Sequence, residues 1–247
     1  PPMKPFAALL AAFALSAASL TVAAQGEAPK QPASDPASAP ASTPAAPKAP
    51  ATPADKPEGK KPAPATPDER KENLVFVTLE TSKGNIVLEL NSEKAPITVK
   101  NFVEYVQKGH YSGTTFHRVI PTFMIQGGGM SADMKEKATG RGIQNEGLNG
   151  LKNVRGAIAM ARTNDPNSAT AQFFINTVDN AFLDATPNRP GYAVFGRVIA
   201  GLDVVDQIKD VKTTTKGMHQ NVPVEPITIN AAKVITAEEA KTASGGK

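Results

Sequence analysis

The chain has 247 residues, 20% of them charged and 40% hydrophobic, and its 27 basic and 23 acidic side chains give a formal charge of +4. It has no cysteine, no tryptophan and three scattered histidines, His110, His117 and His219. Disulfides, thiolate chemistry and cysteine lipid anchors are therefore excluded, and a histidine metal cluster is disfavoured. Twelve of the 22 prolines lie between Pro29 and Pro67, while 11 of the 13 aromatics lie between Phe76 and Phe195. One part of the chain can form a core and another cannot.

With Met3 as the start, Lys4 supplies a short basic head and Phe6 to Leu20 an Ala/Leu-rich apolar run. Val22-Ala23-Ala24 then offers small residues suited to cleavage before Gln25. This is the pattern of a secretory signal peptide over residues 1–24. The competing reading is a retained membrane helix. Ser16, Ser19, Thr21 and the many alanines weaken it, so cleavage, export to the periplasm of a bacterial envelope and no stable membrane insertion are expected. Residues 25–72 are a Pro/Ala-rich linker without aromatics or Ile, Leu, Val or Met. Such a segment cannot offset its ordering entropy and is expected to be disordered. Fully extended, it would reach on the order of 150 Å. Its balanced charge does not support a nucleic-acid or membrane arm, and a passive spacer is preferred to a ligand for a polyproline-binding partner.

Residues 73–235 form one core-sized domain with 17 basic and 14 acidic residues, a mild excess without a dense patch. Leu74–Glu80 and Ile86–Leu90 read as strands joined by a turn at Thr81-Ser82-Lys83-Gly84. Ala95-Pro96 opens a helix whose apolar positions are Ile97, Val99, Phe102, Val103 and Val106, and Gly109 ends it. Short apolar runs follow at Thr115–Ile120, Phe123–Ile125, Ala157–Ala161, Gln172–Ile175 and Tyr192–Val198. Asp203–Lys209 reads as a short helix and Ile227–Ile235 as a last strand. Many short strands with two helices favour an all-β dominated fold, a closed antiparallel barrel, over a parallel sheet. Residues 236–247 are expected to be a disordered tail.

Nucleophile and phosphate-loop motifs are missing: there is no G-x-S-x-G, and Gly127-Gly128-Gly129 precedes Met130 rather than Lys-Ser/Thr. The glycines therefore serve backbone geometry, and acids such as Asp133 and Glu136 read as a solvated face. The informative stretch is Phe116 to Gly128, FHRVIPTFMIQGG. Period-two reading puts Phe116, Arg118 and Ile120 on one face, then Met124 with Gln126 and Phe123 with Ile125 on opposite faces. An arginine beside Phe and Ile is costly unless it finds partners. Periodicity alone divides evenly between an arginine reaching solvent and a binding site.

These residues resemble the signature of the cyclophilins, a family of peptidyl-prolyl cis–trans isomerases. The agreement includes Asn101-Phe102, Gly156 to Ala161, Ser168 to Ile175, Phe182-Leu183-Asp184 and Val194 to Val198. The Met160-Ala161-Arg162-Thr163 wording, Phe182 and Tyr192 look most like the exported bacterial branch. The resemblance implies a closed eight-stranded antiparallel β-barrel capped by two α-helices, with a groove on its outer surface. Carried over by position, Arg118 is the catalytic arginine, and Phe123, Met124, Phe173 and Leu183 are the pocket for the proline ring. Gln126, Ala161, Arg162, Thr163 and Gln172 hold the peptide backbone. Phe182 stands where many eukaryotic relatives have Trp, which counts against tight cyclosporin binding. Tyr192 replaces their His and can still pack against the pocket. The resemblance further implies isomerisation of X–Pro bonds in folding envelope proteins, proline-containing polypeptides as partners, no cofactor, no nucleic acid and a monomer. A proline-peptide-binding chaperone with little catalysis is the alternative.

Overall fold

Strand β1 (Leu74–Thr81) runs antiparallel to β2 (Gly84–Asn91), in register from Leu74 opposite Asn91 to Thr81 opposite Gly84. Their inward residues, Val77, Leu79, Ile86, Leu88 and Leu90, are fully buried, as period-two alternation requires. The structure, a computed structural model, describes residues 73–245. The expected signal peptide (1–24) and Pro/Ala-rich linker (25–72) lie outside the described residues.

Helix α1 (Pro96–Gln107) begins at the proline, and Gly109 (φ 67°) follows its end. It buries Val99, Phe102 and Val106. Ile97, assigned to the same face by spacing, is instead 40% exposed, and Thr98 is buried in its stead. The cause is Glu146, whose carboxylate accepts from the Ile97 and Thr98 N–H groups (3.1 and 2.8 Å) and from the Thr98 hydroxyl (2.6 Å). An anion on the orphan donors of the first turn holds that turn to the domain.

The remaining barrel strands are β3 (Thr114–Ile120), β4 (Met124–Ser131), β5 (Ala157–Met160), β6 (Phe173–Asn176), β7 (Val194–Ala200) and β10 (Thr228–Ile235). They close with the first hairpin in the order β1-β10-β3-β4-β6-β5-β7-β2, every pair antiparallel. The expected eight-stranded closed barrel is present. Its interior holds an aromatic cluster in which the Phe102 ring lies 5.0 Å from Tyr111, 5.7 Å from Phe173 and 5.2 Å from Phe195. Helix α2 (Leu202–Lys209) adds Val204, Val205 and Ile208 to the same core.

Two features depart from expectation. Strands β8 (Thr213–Lys216) and β9 (His219–Pro223) form a separate hairpin where no element was expected. The cap is not limited to two helices, because a third, α3 (Ala237–Ala243), occupies the tail expected to be disordered. Thr236 and Glu239 make a reciprocal capping box there: the Glu239 N–H donates to the Thr236 hydroxyl (3.2 Å), and the Thr236 N–H donates to the Glu239 carboxylate (2.8 Å). Ala240, 1% exposed, anchors the helix on the barrel.

Candidate active site

Period-two counting fails along β3, and the failure creates the site. The β3–β4 register slips between Phe116, opposite Gly127, and Arg118, opposite Gln126. His117 is the extra residue of a bulge, and a bulge reverses which face the following side chains take. Phe116 therefore points into the barrel core, whereas Arg118 leaves it and lines an outer groove. The expectation that Phe116 and Arg118 share a face is thus corrected. Beyond the bulge Val119 returns to the core.

The groove has a volume of about 340 Å³ and brings together Arg118, Phe123, Met124, Gln126, Ala161, Arg162, Phe182, Leu183 and Tyr192. Nine of the twelve expected site residues are among its walls, and Phe174 is the tenth lining residue. Two roomier clefts, each about 480 Å³, lie elsewhere, one beside Lys83 and Lys212 and one beside Asn145 and Pro190. Volume does not single out the groove; its combination of apolar floor and convergent polar groups does.

The floor requires a correction at one position. Phe173 was expected in the proline pocket, but its side chain is fully buried inside the barrel, edge-on to Phe102, Tyr111 and Phe116. The next residue, Phe174, points outward and packs with Met124 and Leu183 beneath the groove. Alternation along β6 allows only one of the two adjacent phenylalanines to reach each side. Phe123 stacks on Phe182 with ring centroids 5.6 Å apart, and Tyr192 meets Phe174 edge-on at 5.6 Å. Phe182 remains 60% exposed, a shelf at the groove margin.

Gln172 and Thr163 are the other two expected residues outside the walls. Gln172 stands behind Gln126 and accepts a 3.0 Å hydrogen bond from its side-chain amide. A methyl at Gly129 would collide with the Gln172 side chain, and one at Gly128 would lie 2.8 Å from the Tyr111 ring and 2.9 Å from Phe173. These glycines admit neighbouring side chains, consistent with a backbone role. Thr163 pairs with Ser168 (2.8 Å between hydroxyls) and shapes the loop after β5 rather than the groove.

The two guanidiniums are held differently. Arg162 donates from Nε and Nη2 to the Gly191 carbonyl (3.1 and 2.8 Å), from Nη1 to the Thr163 carbonyl (2.8 Å), and lies 4.6 Å over the Tyr192 ring. Arg118 is half-buried, and among the described residues no protein group hydrogen-bonds or ion-pairs with its guanidinium. His117 beside it is 6% exposed and its Nδ1 has no partner among the described residues. Burial, together with the nearby His219 and Arg118 charges, pushes its pKa down to about 4 against weaker opposition from polar contacts with Thr115 and Gln172. His117 is accordingly neutral at pH 7.

A buried polar chain behind the pocket escaped sequence reading. The Asn180 amide donates to the Phe123 carbonyl (2.8 Å) and to Asn176 (2.7 Å), and Asn176 donates to Asn153 (3.3 Å). Asn153 donates from backbone and side chain to Asp184 (2.8 and 3.0 Å). Burial pushes the Asp184 carboxyl up, but the Asn153 donors and Lys152 outweigh it and leave its pKa lowered. The chain thus ties the β3–β4 turn, which carries Phe123, to the 3-10 turn Ala181–Leu183. Its signal in the sequence is only a set of asparagines near apolar runs, and nothing in their spacing marks them as buried.

Comparison with known proteins agrees with this geometry. Residues 76–234 match the family described as "Cyclophilin type peptidyl-prolyl cis-trans isomerase/CLD". A peptidyl-prolyl cis-trans isomerase of Acinetobacter baylyi is 57% identical over 166 residues, covering 67% of this chain and 88% of that relative. Peptidyl-prolyl cis-trans isomerase B of Escherichia coli is 55% identical over 162 residues, covering 64% of this chain and 99% of the relative. Among solved structures, a Cryptosporidium parvum cyclophilin studied in the presence of the dipeptide Ala-Pro aligns with a TM-score of 0.55 at 27% identity, covering 65% of this chain and 99% of that one. A barrel of this order, an outer groove with an apolar floor and a family match across nearly all of the barrel lead to one conclusion: the chain belongs to the cyclophilin-type peptidyl-prolyl cis-trans isomerases.

Proposed function

We propose that the enzyme accelerates rotation about X–Pro bonds in proteins folding in the bacterial envelope, with Arg118 as the catalytic group and Phe123, Met124, Phe174 and Leu183 as the seat of the proline ring. Peptide-bond rotation meets a barrier of ~18–20 kcal/mol because the nitrogen lone pair is delocalised into the carbonyl. A catalyst needs neither nucleophile nor proton transfer; it must bind the twisted amide more tightly than either planar form. Twisting returns the lone pair to the prolyl nitrogen, which then accepts a hydrogen bond. A guanidinium is a fixed donor at neutral pH.

The observation that carries the reading is the half-buried Arg118 guanidinium, unengaged by any described protein group, at the edge of an apolar recess. Its donors remain available to a substrate. Gln126, braced by Gln172, holds the peptide beside the proline, so rotation occurs between a gripped ring and a gripped backbone. The test is a protease-free isomerisation assay on a proline tetrapeptide. Acceleration that disappears in Arg118→Ala supports the mechanism. Peptide affinity without acceleration would make the protein a proline-peptide-binding chaperone instead.

The envelope assignment draws on Lys4, the apolar run Phe6–Leu20 and the small residues Val22-Ala23-Ala24. Fractionation with N-terminal sequencing checks it: a soluble envelope product beginning at Gln25 is expected, and a cytoplasmic product retaining residues 3–24 would refute it.

A further inference from the structure

The groove walls contain two arginines, Arg118 and Arg162, and no aspartate or glutamate. Three acids outside the walls are committed elsewhere: Asp184, next in sequence to Leu183, to Asn153 and Lys152, Glu146 to the start of α1, and Asp165 to the Asn167 N–H. No carboxylate among the described residues forms an ion pair with either arginine. A cleft with one sign of charge and low-dielectric aromatic walls attracts the opposite sign.

Arg162 is suited to read that sign. Three of its five N–H donors are taken by the Gly191 and Thr163 carbonyls, which leaves one on each terminal nitrogen. Those contacts and the Tyr192 ring hold the guanidinium in place, so little side-chain entropy is lost when a ligand binds it. Tyr192 in turn packs edge-on against Phe174 of the groove floor, which places the guanidinium one ring beyond the seat of the proline. A residue adjacent to the proline, or one further along, spans that separation.

We propose that Arg162 makes the enzyme selective for substrates carrying Asp or Glu within two residues of the proline. This rests on the isomerase reading above. The carboxylate accepts the two remaining N–H bonds, and Lys or Arg at the same place is disfavoured by like charge.

The experiment uses the protein with its full domain and a panel of Ala-Pro tetrapeptides and pentapeptides with Glu, Gln or Lys at each of the two positions on either side of proline. At one position at least, kcat/KM for Glu should exceed Gln by about three- to five-fold, with Lys below Gln. Raising the salt to about 0.5 M should shrink the Glu/Gln ratio toward one, because the rim is exposed to solvent. In Arg162→Gln the ratio should fall to one, whereas Arg162→Lys should keep part of it. Equal rates for Glu, Gln and Lys at every position, with Ala-Pro peptides still isomerised, would overturn the selectivity and leave the isomerase intact. A ratio that persists in folded Arg162→Gln would overturn the assignment to Arg162. Should no peptide be accelerated, the isomerase reading itself fails, and fluorescence competition with the same panel decides the selectivity through binding alone.

Discussion

Arg118 and Gln126 are cross-strand partners on β3 and β4, and both side chains emerge into the same groove. Gln126 is tethered to Gln172, whereas no described group hydrogen-bonds or ion-pairs with the Arg118 guanidinium. The amide is thus held in place and the guanidinium is an available donor. Arg118→Ala should lower kcat/KM roughly 100- to 1000-fold, the typical cost of losing one preorganised donor. Its unfolding free energy should change by no more than about 1 kcal/mol. Isomerisation rates and circular-dichroism melts on the same sample check both halves.

Adjacent phenylalanines on β6 should separate stability from activity. Phe173 fills the barrel core, so Phe173→Ala should cost about 3–5 kcal/mol in urea unfolding. Phe174 forms the groove floor, so Phe174→Leu should cost under about 1.5 kcal/mol. It should nonetheless raise KM for proline peptides. The opposite ranking would place the proline seat on the other residue.

The Asn180 amide links the Phe123 carbonyl to a buried chain of asparagines. Asn180→Ala leaves those acceptors without their donor, at a cost of about 1–3 kcal/mol. Because the same bond holds the turn carrying Phe123, kcat/KM should also fall while Arg118 remains intact. Urea melts and initial rates measure the two effects separately.

Burial of His117 gives a directional pH dependence. The folded form has a pKa of about 4, below the ordinary 6.5 of the unfolded chain. Between those values the unfolded state binds a proton that the folded state does not, so stability rises with pH across this window. The loss on acidification from pH 7 to pH 4 is on the order of 3 kcal/mol for this group. Melts of the wild type and of His117→Gln across that range should show the slope and its removal. Turnover between pH 6 and 9 should stay nearly flat, since the proposed step moves no proton.

Much of this was legible in the sequence because period-two alternation, Pro96 and Gly109 act locally. The β1–β2 hairpin, α1 and the barrel class follow from such signals. What could not be read was phase. The bulge at His117 reverses the faces of β3, and a pairing slip is visible only once β4 lies beside it. Positional resemblance to the family assigns Phe173 to the pocket, and the structure turns its neighbour Phe174, not Phe173, toward the groove. Helix α3 was missed for a different reason: Thr236-Ala-Glu-Glu239 spells a capping box, but the segment has too few apolar residues to suggest a core face. One buried alanine suffices, because the barrel wall supplies the rest of the contact.

The third glycine of the 127–129 run matters beyond its own strand. Gln172 occupies the space that any larger residue at 129 would need, and Gln172 braces the Gln126 amide, the group proposed above to hold the peptide. A single added methyl, distant from the scissor of arginine and ring, would therefore loosen the enzyme's hold on its client from behind, a lesion registered in affinity before it is registered in folding.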